Sequence, residues 1–342
     1  MPVLKKTALA LVAVLLLGNS HILQAHAVSG NSVIEALLDG HKVINVVDDF
    51  LIFWERAKDE PPNRQRRLWR RMVESKHRDY FDRAVYRGAN REQRRAMLDW
   101  FLAIVPDRID AIREFNRQII FKLTEAVIYF KSRFPEYQQK RDIYIGLSMF
   151  GFDSSIRAVQ NEEGVPDTLC LGAEVLALYP TQQLQIAIAH EFFHLYHFGF
   201  LFQDPWLDEI QSPHIRLMIE GLAVAGAEAI YPYEPSTLYL NFSDEELMYQ
   251  SDELAVSSQR YLELVREQAS LERYEQWFNF SSSDEAPLRG GYLLGYEVTK
   301  RVLAAFTLEQ IVRMTPDQLR EHTEEQLAAM ATDGILLMAA SG

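Results

Sequence analysis

His190-Glu191-Phe192-Phe193-His194 sits near the middle of the run TQQLQIAIAHEFFHLYHF, residues 181–198. Ile188, Phe192, Leu195 and Gly199 recur at helical spacing, which predicts a helix from Gln182 to about Phe198, capped by Thr181 and weakened at Gly199. Positions four apart on a helix lie one above the other, so the two imidazoles face the same way and suit a single tetrahedral cation. Glu191 stands about a quarter turn round. From there its carboxylate reaches a water beside the cation rather than the cation itself. The spacing therefore predicts a zinc site with His190 and His194 as ligands and Glu191 as general base toward an attacking water.

Catalytic zinc usually takes three protein ligands and leaves one place open. A third histidine six residues on is absent, because His197 and Phe200 occupy the positions where a longer His-x-x-Gly-x-x-His pattern has its Gly and its last His. A carboxylate fits better. Glu220, in Ile219-Glu220-Gly221-Leu222-Ala223, lies on a predicted helix from His214 to Ile230 started by Ser212-Pro213. A lone acid on so apolar a face is costly unless paired or metal-bound. The small residues Gly221, Ala223, Ala225, Gly226 and Ala227 allow close approach to the motif helix. Glu228, Asp208 and Glu209 are the competing acids.

HEFFH followed at this distance by an EGLA segment resembles the gluzincin clan of zinc metallopeptidases. More narrowly, it is similar to a bacterial group of zinc-dependent proteases that also carries a late Gly-Tyr-x-x-Gly-Tyr element, here Gly291-Tyr292-Leu293-Leu294-Gly295-Tyr296. The likeness covers roughly residues 140–310. It implies a zincin-like fold, zinc, and hydrolysis of a peptide or protein substrate. Several members of that clan place a tyrosine hydroxyl on the oxyanion, a role the resemblance gives here to Tyr292 with Tyr296 behind it, the alternative being an ordinary aromatic in a helix. Relatives often have a polar residue four places after the ligand Glu, where this chain has Val224. Zincins lay extended peptides along a sheet edge, which points to the strand around Gly172-Ala173, with Glu174 either reading a substrate amine or exposed as a surface acid.

Outward from the motif, the expected fold is α+β and predominantly helical. A helical lobe runs from about Ser32 to Phe134, with breaks at Pro61-Pro62, Gly88 and Pro106. Strands are expected around Ile143–Leu147 and from Thr168 to Leu178, with a loop from Gly151 to Pro166 between them. This small sheet precedes the motif helix. A second helical lobe follows, over 244–278, 291–306 and 316–331, with a Ser/Asp loop at 281–285. The domain reading is 28–135 for the N-terminal helical region and 136–335 for the catalytic region, packed as one unit.

The first 27 residues read as an export signal: Lys5 and Lys6, an apolar run from Thr7 to Gly18, then Ala25-His26-Ala27 before Val28. The run is shorter than the about 20 apolar residues a membrane span needs. A periplasmic or extracellular location is expected, with no integral span after processing. The single cysteine, Cys170, allows no intrachain disulfide and reads as a buried core residue. The net charge of −13 argues against nucleic acid as partner. Residues 55–95 run the other way, with 14 Lys/Arg against 7 Asp/Glu, a stretch able to touch an anionic surface weakly. His197 and His214 are expected to face solvent. Two further functions remain open: a zinc-dependent hydrolase of a non-peptide amide, and a non-enzymatic factor whose structural metal takes a fourth ligand such as His197 or Glu228.

Overall fold

The computed structural model describes residues 38–341 apart from 39, 139, 161–164, 203–209 and 280–285. The signal expected over 1–27, the start expected near Ser32, Asp208, Glu209 and the loop at 281–285 lie outside the described residues. The architecture is α+β and mostly helical, as the sequence leads one to expect. Among the described residues there is one sheet of four strands in the order β1-β2-β4-β3: β1 Val43–Asn45, β2 Asp142–Gly146, β3 Ser154–Arg157 and β4 Thr168–Gly172. β1, β2 and β4 run parallel, and β3 is antiparallel at one edge.

The register sorts the side chains by the two-residue period of a strand. Tyr144, Cys170 and Ser155 share one face, where Tyr80 of the N-terminal lobe stacks on Tyr144 at 5.0 Å. Ile145, Leu171 and Ser154 share the other, which the motif helix covers. Cys170 is fully buried, as expected.

The N-terminal lobe is built from α1 Val46–Ala57, α2 Pro62–Trp69, α3 Arg91–Ile104 and α4 Ile109–Arg133. The side chain of Asn45 caps α1 by accepting from the Val47 amide, so the β1 strand turns directly into a helix. Asn90 and Gln93 form a reciprocal cap at the start of α3. Two π-helical segments, Arg70–Glu74 and Tyr80–Tyr86, lie between α2 and α3. Phe50, Phe53, Trp69, Phe81 and Phe101 pack edge to face through this lobe.

The motif helix α5, Thr181–Leu201, docks on α4 through Phe130, Phe134, Phe192 and Tyr196. It is followed by α6 Pro213–Ile230, α7 Asp244–Asp252, α8 Leu254–Arg266, α9 Gly290–Val302 and α10 Pro316–Ser341. No helix among the described residues is long and apolar enough to cross a membrane.

α6 and α9 cross with their backbones almost touching. A Cβ on Gly221 would stand 2.1 Å from the Gly295 carbonyl oxygen, and one on Gly295 would stand 2.5 Å from that of Leu217. Gly221 therefore serves the contact with α9, not the contact with the motif helix. Gly226 makes the latter: its added Cβ would lie 2.1 Å from the Phe193 ring.

Several local expectations are corrected. The second strand ends at Gly172 and becomes the short helix Ala173–Leu176, because its partners end there: β2 stops at Gly146 opposite Gly172 and β3 reaches only Ser154 opposite Leu171. The segment expected as loop holds β3. The N-terminal region contributes β1. α5 starts at Thr181 itself, with Pro180 before it and no side-chain cap, and continues two residues past Gly199.

Candidate metal centre

α5 carries His190 and His194 on one face. Their rings are 4.6 Å apart at 87°, and the ligand atoms of His190, Glu191 and His194 lie within 4.8 Å of one another. α6 brings Glu220 across. Its Oε2 is 3.3 Å from His190 Nε2 and 3.5 Å from His194 Nε2. Ligand atoms about 2.0–2.2 Å from a tetrahedral ion stand roughly 3.3–3.5 Å from one another, so the three atoms have the spacing of a filled site. Oε2 of Glu220 is buried and has no hydrogen-bond partner among the described residues, and such an oxygen is costly unless a cation meets it. The donor set fits zinc.

Burial works against ionised Glu220, yet Arg216 and then the two imidazoles hold its carboxyl well below the usual range. Arg216, one turn earlier on α6, donates from its NH1 group to Glu220 Oε1 and from Nε to Glu275 Oε1 at 2.9 Å. Val224, four residues after Glu220, is fully buried. The partner of the acid lies four residues before it, not four after.

Glu191 stands beside the imidazole pair, with one carboxylate oxygen held by the sheet. Ser154 of β3 donates to its Oε1 at 3.0 Å, while Oε2 is buried and unpartnered among the described residues. Burial pushes the Glu191 carboxyl above its ordinary range, against the pull of His194 and His190. Next to Ser154, Asp153 accepts from the Tyr179 hydroxyl at 2.6 Å. Neither Ser154 nor Arg216 was singled out by sequence. For Ser154 no signal existed, since its strand is four polar-rich residues long. Arg216 did leave one: it is an isolated cation one turn before a candidate ligand in an otherwise apolar helix.

Tyr292, on the first turn of α9, stands beside the site with its ring centroid 6.4 Å from that of His190. Arg289 lies over its other side at 4.7 Å. Burial pushes the Tyr292 phenol up, so it remains protonated near neutral pH. Tyr296 is directed elsewhere and donates to Glu228 at 2.8 Å. That bond also accounts for Glu228, two turns along α6 from Glu220.

Three expectations near the site do not hold. β4 is interior, so the outer strands are β1 and β3, and β3 is the one that meets the motif helix through Ser154. Glu174 is fully buried and accepts from Ser148 Oγ at 3.0 Å and from the Phe150 amide at 2.9 Å. It clamps a turn in which Met149 and Phe150 both take positive φ, and neither reads a substrate nor meets solvent. His197 and His214 are buried at 1% and 4% exposure. Helical arithmetic explains the first: His197 is seven residues after His190, on the face that packs inward.

Burial lowers His197 to about 3, and burial with Arg320 nearby lowers His214 to about 4, from 6.5. The fold thus refuses protons that the unfolded chain accepts below pH 6.5, and stability must fall as pH drops through that window. Each histidine contributes up to about 1.4 kcal/mol per pH unit. Urea midpoints at about pH 7.5 and 5.5 check this: His197→Phe and His214→Phe should each flatten the fall seen in the parent. A variant curve parallel to the parent's would refute it.

The sequence profile of one family, described as Predicted Zn-dependent protease (DUF2268), matches residues 129–321. No curated protein and no solved structure matches the chain.

Proposed function

The chain belongs to the family of predicted Zn-dependent proteases that its profile match defines, and from that premise we propose that it is a gluzincin-type metallopeptidase. The observation that carries this reading is Glu220 Oε2 facing both imidazole nitrogens at ligand spacing. His190, His194 and Glu220 would hold the zinc. When bound, zinc supplies Lewis-acid activation of water and of the scissile carbonyl.

The remaining chemistry belongs to the chain. Ser154 occupies one oxygen of Glu191 and leaves the other to accept the proton of the attacking water. The raised carboxyl makes Glu191 a better acceptor than a solvated acid and lets it hand the proton to the leaving amine. Tyr292, kept protonated, donates to the oxyanion as the carbonyl becomes tetrahedral. As an outer strand beside Glu191, β3 is placed to offer backbone donors and acceptors to an extended peptide, which favours a peptide over a small amide as substrate. A structural metal would close with a fourth protein ligand, and Glu228 is already engaged by Tyr296.

Metal analysis of the purified protein tests the assignment. Wild type is expected to carry zinc in a one-to-one ratio and Glu220→Ala to lose it. A Glu220→Ala protein that keeps its zinc, or a wild type that takes up none, would sink the reading.

A further inference from the structure

Glu220 has two oxygens, and only one of them faces the imidazoles. The other is taken by Arg216, whose side chain lies on the same face of α6 one turn away. A guanidinium offers separate donor edges in a fixed plane. Here NH1 serves Glu220 while Nε serves Glu275 at 2.9 Å. The far side of the guanidinium lies 4.4 Å over the Phe278 ring. Phe278 packs at 5.7 Å against Tyr292 and fills the space where Gly291 lacks a Cβ. Arg216 is therefore fixed from two sides, by Glu275 and by Phe278, before it touches the acid.

We propose that Arg216 is a positioning residue that holds Glu220 as a single-oxygen ligand, keeping the fourth coordination place open. Resting on the reading of Glu220 as third ligand, it adds what that reading lacks, namely why the carboxylate does not close over the cation with both oxygens. Without the arginine, Oε1 has no donor and is released to share the cation with Oε2. The open place would then be lost and the site would become a poorer Lewis acid. Glu275 enters as the residue that orients the arginine, and through Phe278 the same clamp sets the wall on which Tyr292 stands. A lysine in place of Arg216 keeps the charge but cannot serve both acids in one plane.

Chelator competition for zinc and the visible spectrum of the cobalt-substituted protein test this without reference to turnover. Wild type should show the intense bands of four-coordinate cobalt. Arg216→Met should bind zinc about 10- to 100-fold more weakly, with cobalt bands reduced several-fold as the coordination number rises. Arg216→Lys should recover part of the affinity while keeping a weakened cobalt spectrum. Glu275→Gln lies outside the metal shell, spares the fold if Arg216→Met does not, and should move both readouts in the same direction by a smaller amount.

Unchanged cobalt bands in Arg216→Lys and Glu275→Gln would overturn the positioning role, while loss of metal in Glu220→Ala would leave the ligand assignment intact. Metal retained by Glu220→Ala would overturn both.

Discussion

Glu191→Gln is expected to lower kcat by about a hundred- to ten-thousand-fold while leaving zinc content and thermal stability close to wild type. The amide keeps the volume and can still accept from Ser154, so the hydrogen bond between β3 and α5 survives. What disappears is the capacity to take a proton at the buried second oxygen. Zinc is retained because the three atoms at ligand spacing come from His190, His194 and Glu220. Peptide hydrolysis measured on zinc-loaded protein, beside metal analysis of the same sample, decides the matter. Wild-type turnover by the variant would remove Glu191 from the chemistry.

Gly221→Ala should unfold or badly loosen the protein, although glycine to alanine within a helix ordinarily gains about 1 kcal/mol. The added carbon would stand 2.1 Å from the Gly295 oxygen and 2.3 Å from its carbonyl carbon, and backbone cannot yield as a side chain would. Forcing α6 and α9 apart is expected to cost on the order of 3 kcal/mol, a drop in Tm of roughly 4–6 °C for a chain of this size. Glu220 is the neighbouring residue, so the same shift should weaken zinc binding. A variant melting at or above wild type would show that the crossing is looser than the distances state.

Legibility followed the range of the determining interactions. α5 and α6 could be read because their signals are local: two imidazoles four apart, a serine-proline start, and small residues clustered around a lone acid. Gly221, read as serving the contact with the motif helix, instead serves the contact with Gly295 of α9, which no local signal names. β1 has three residues and β3 reads Ser-Ser-Ile-Arg. Neither offers alternation to detect, and each exists because β2 and β4 present edges to them. Misplacing β3 misplaced the outer strand, hid Ser154, and turned Glu174 into a surface candidate. His197 and His214 were misjudged by treating lone histidines as solvated, when the phase of their own helices already turned them inward.

The strand Val43–Asn45 ties the two ends of this arrangement together in time as well as in space. Its partner on β2 lies a hundred residues downstream, a separation also spanned by the His41–Arg141 hydrogen bond. Closing so long a loop is slow, and until it closes β2 exposes Ile143 and Ile145 along an open, apolar margin. Such a margin recruits strands from other molecules. A chain begun at residue 129, where the family likeness starts, would hold that margin open permanently. β1, supplied from the N-terminal side of the chain, thus covers the β2 edge for the half of the molecule that bears the metal site.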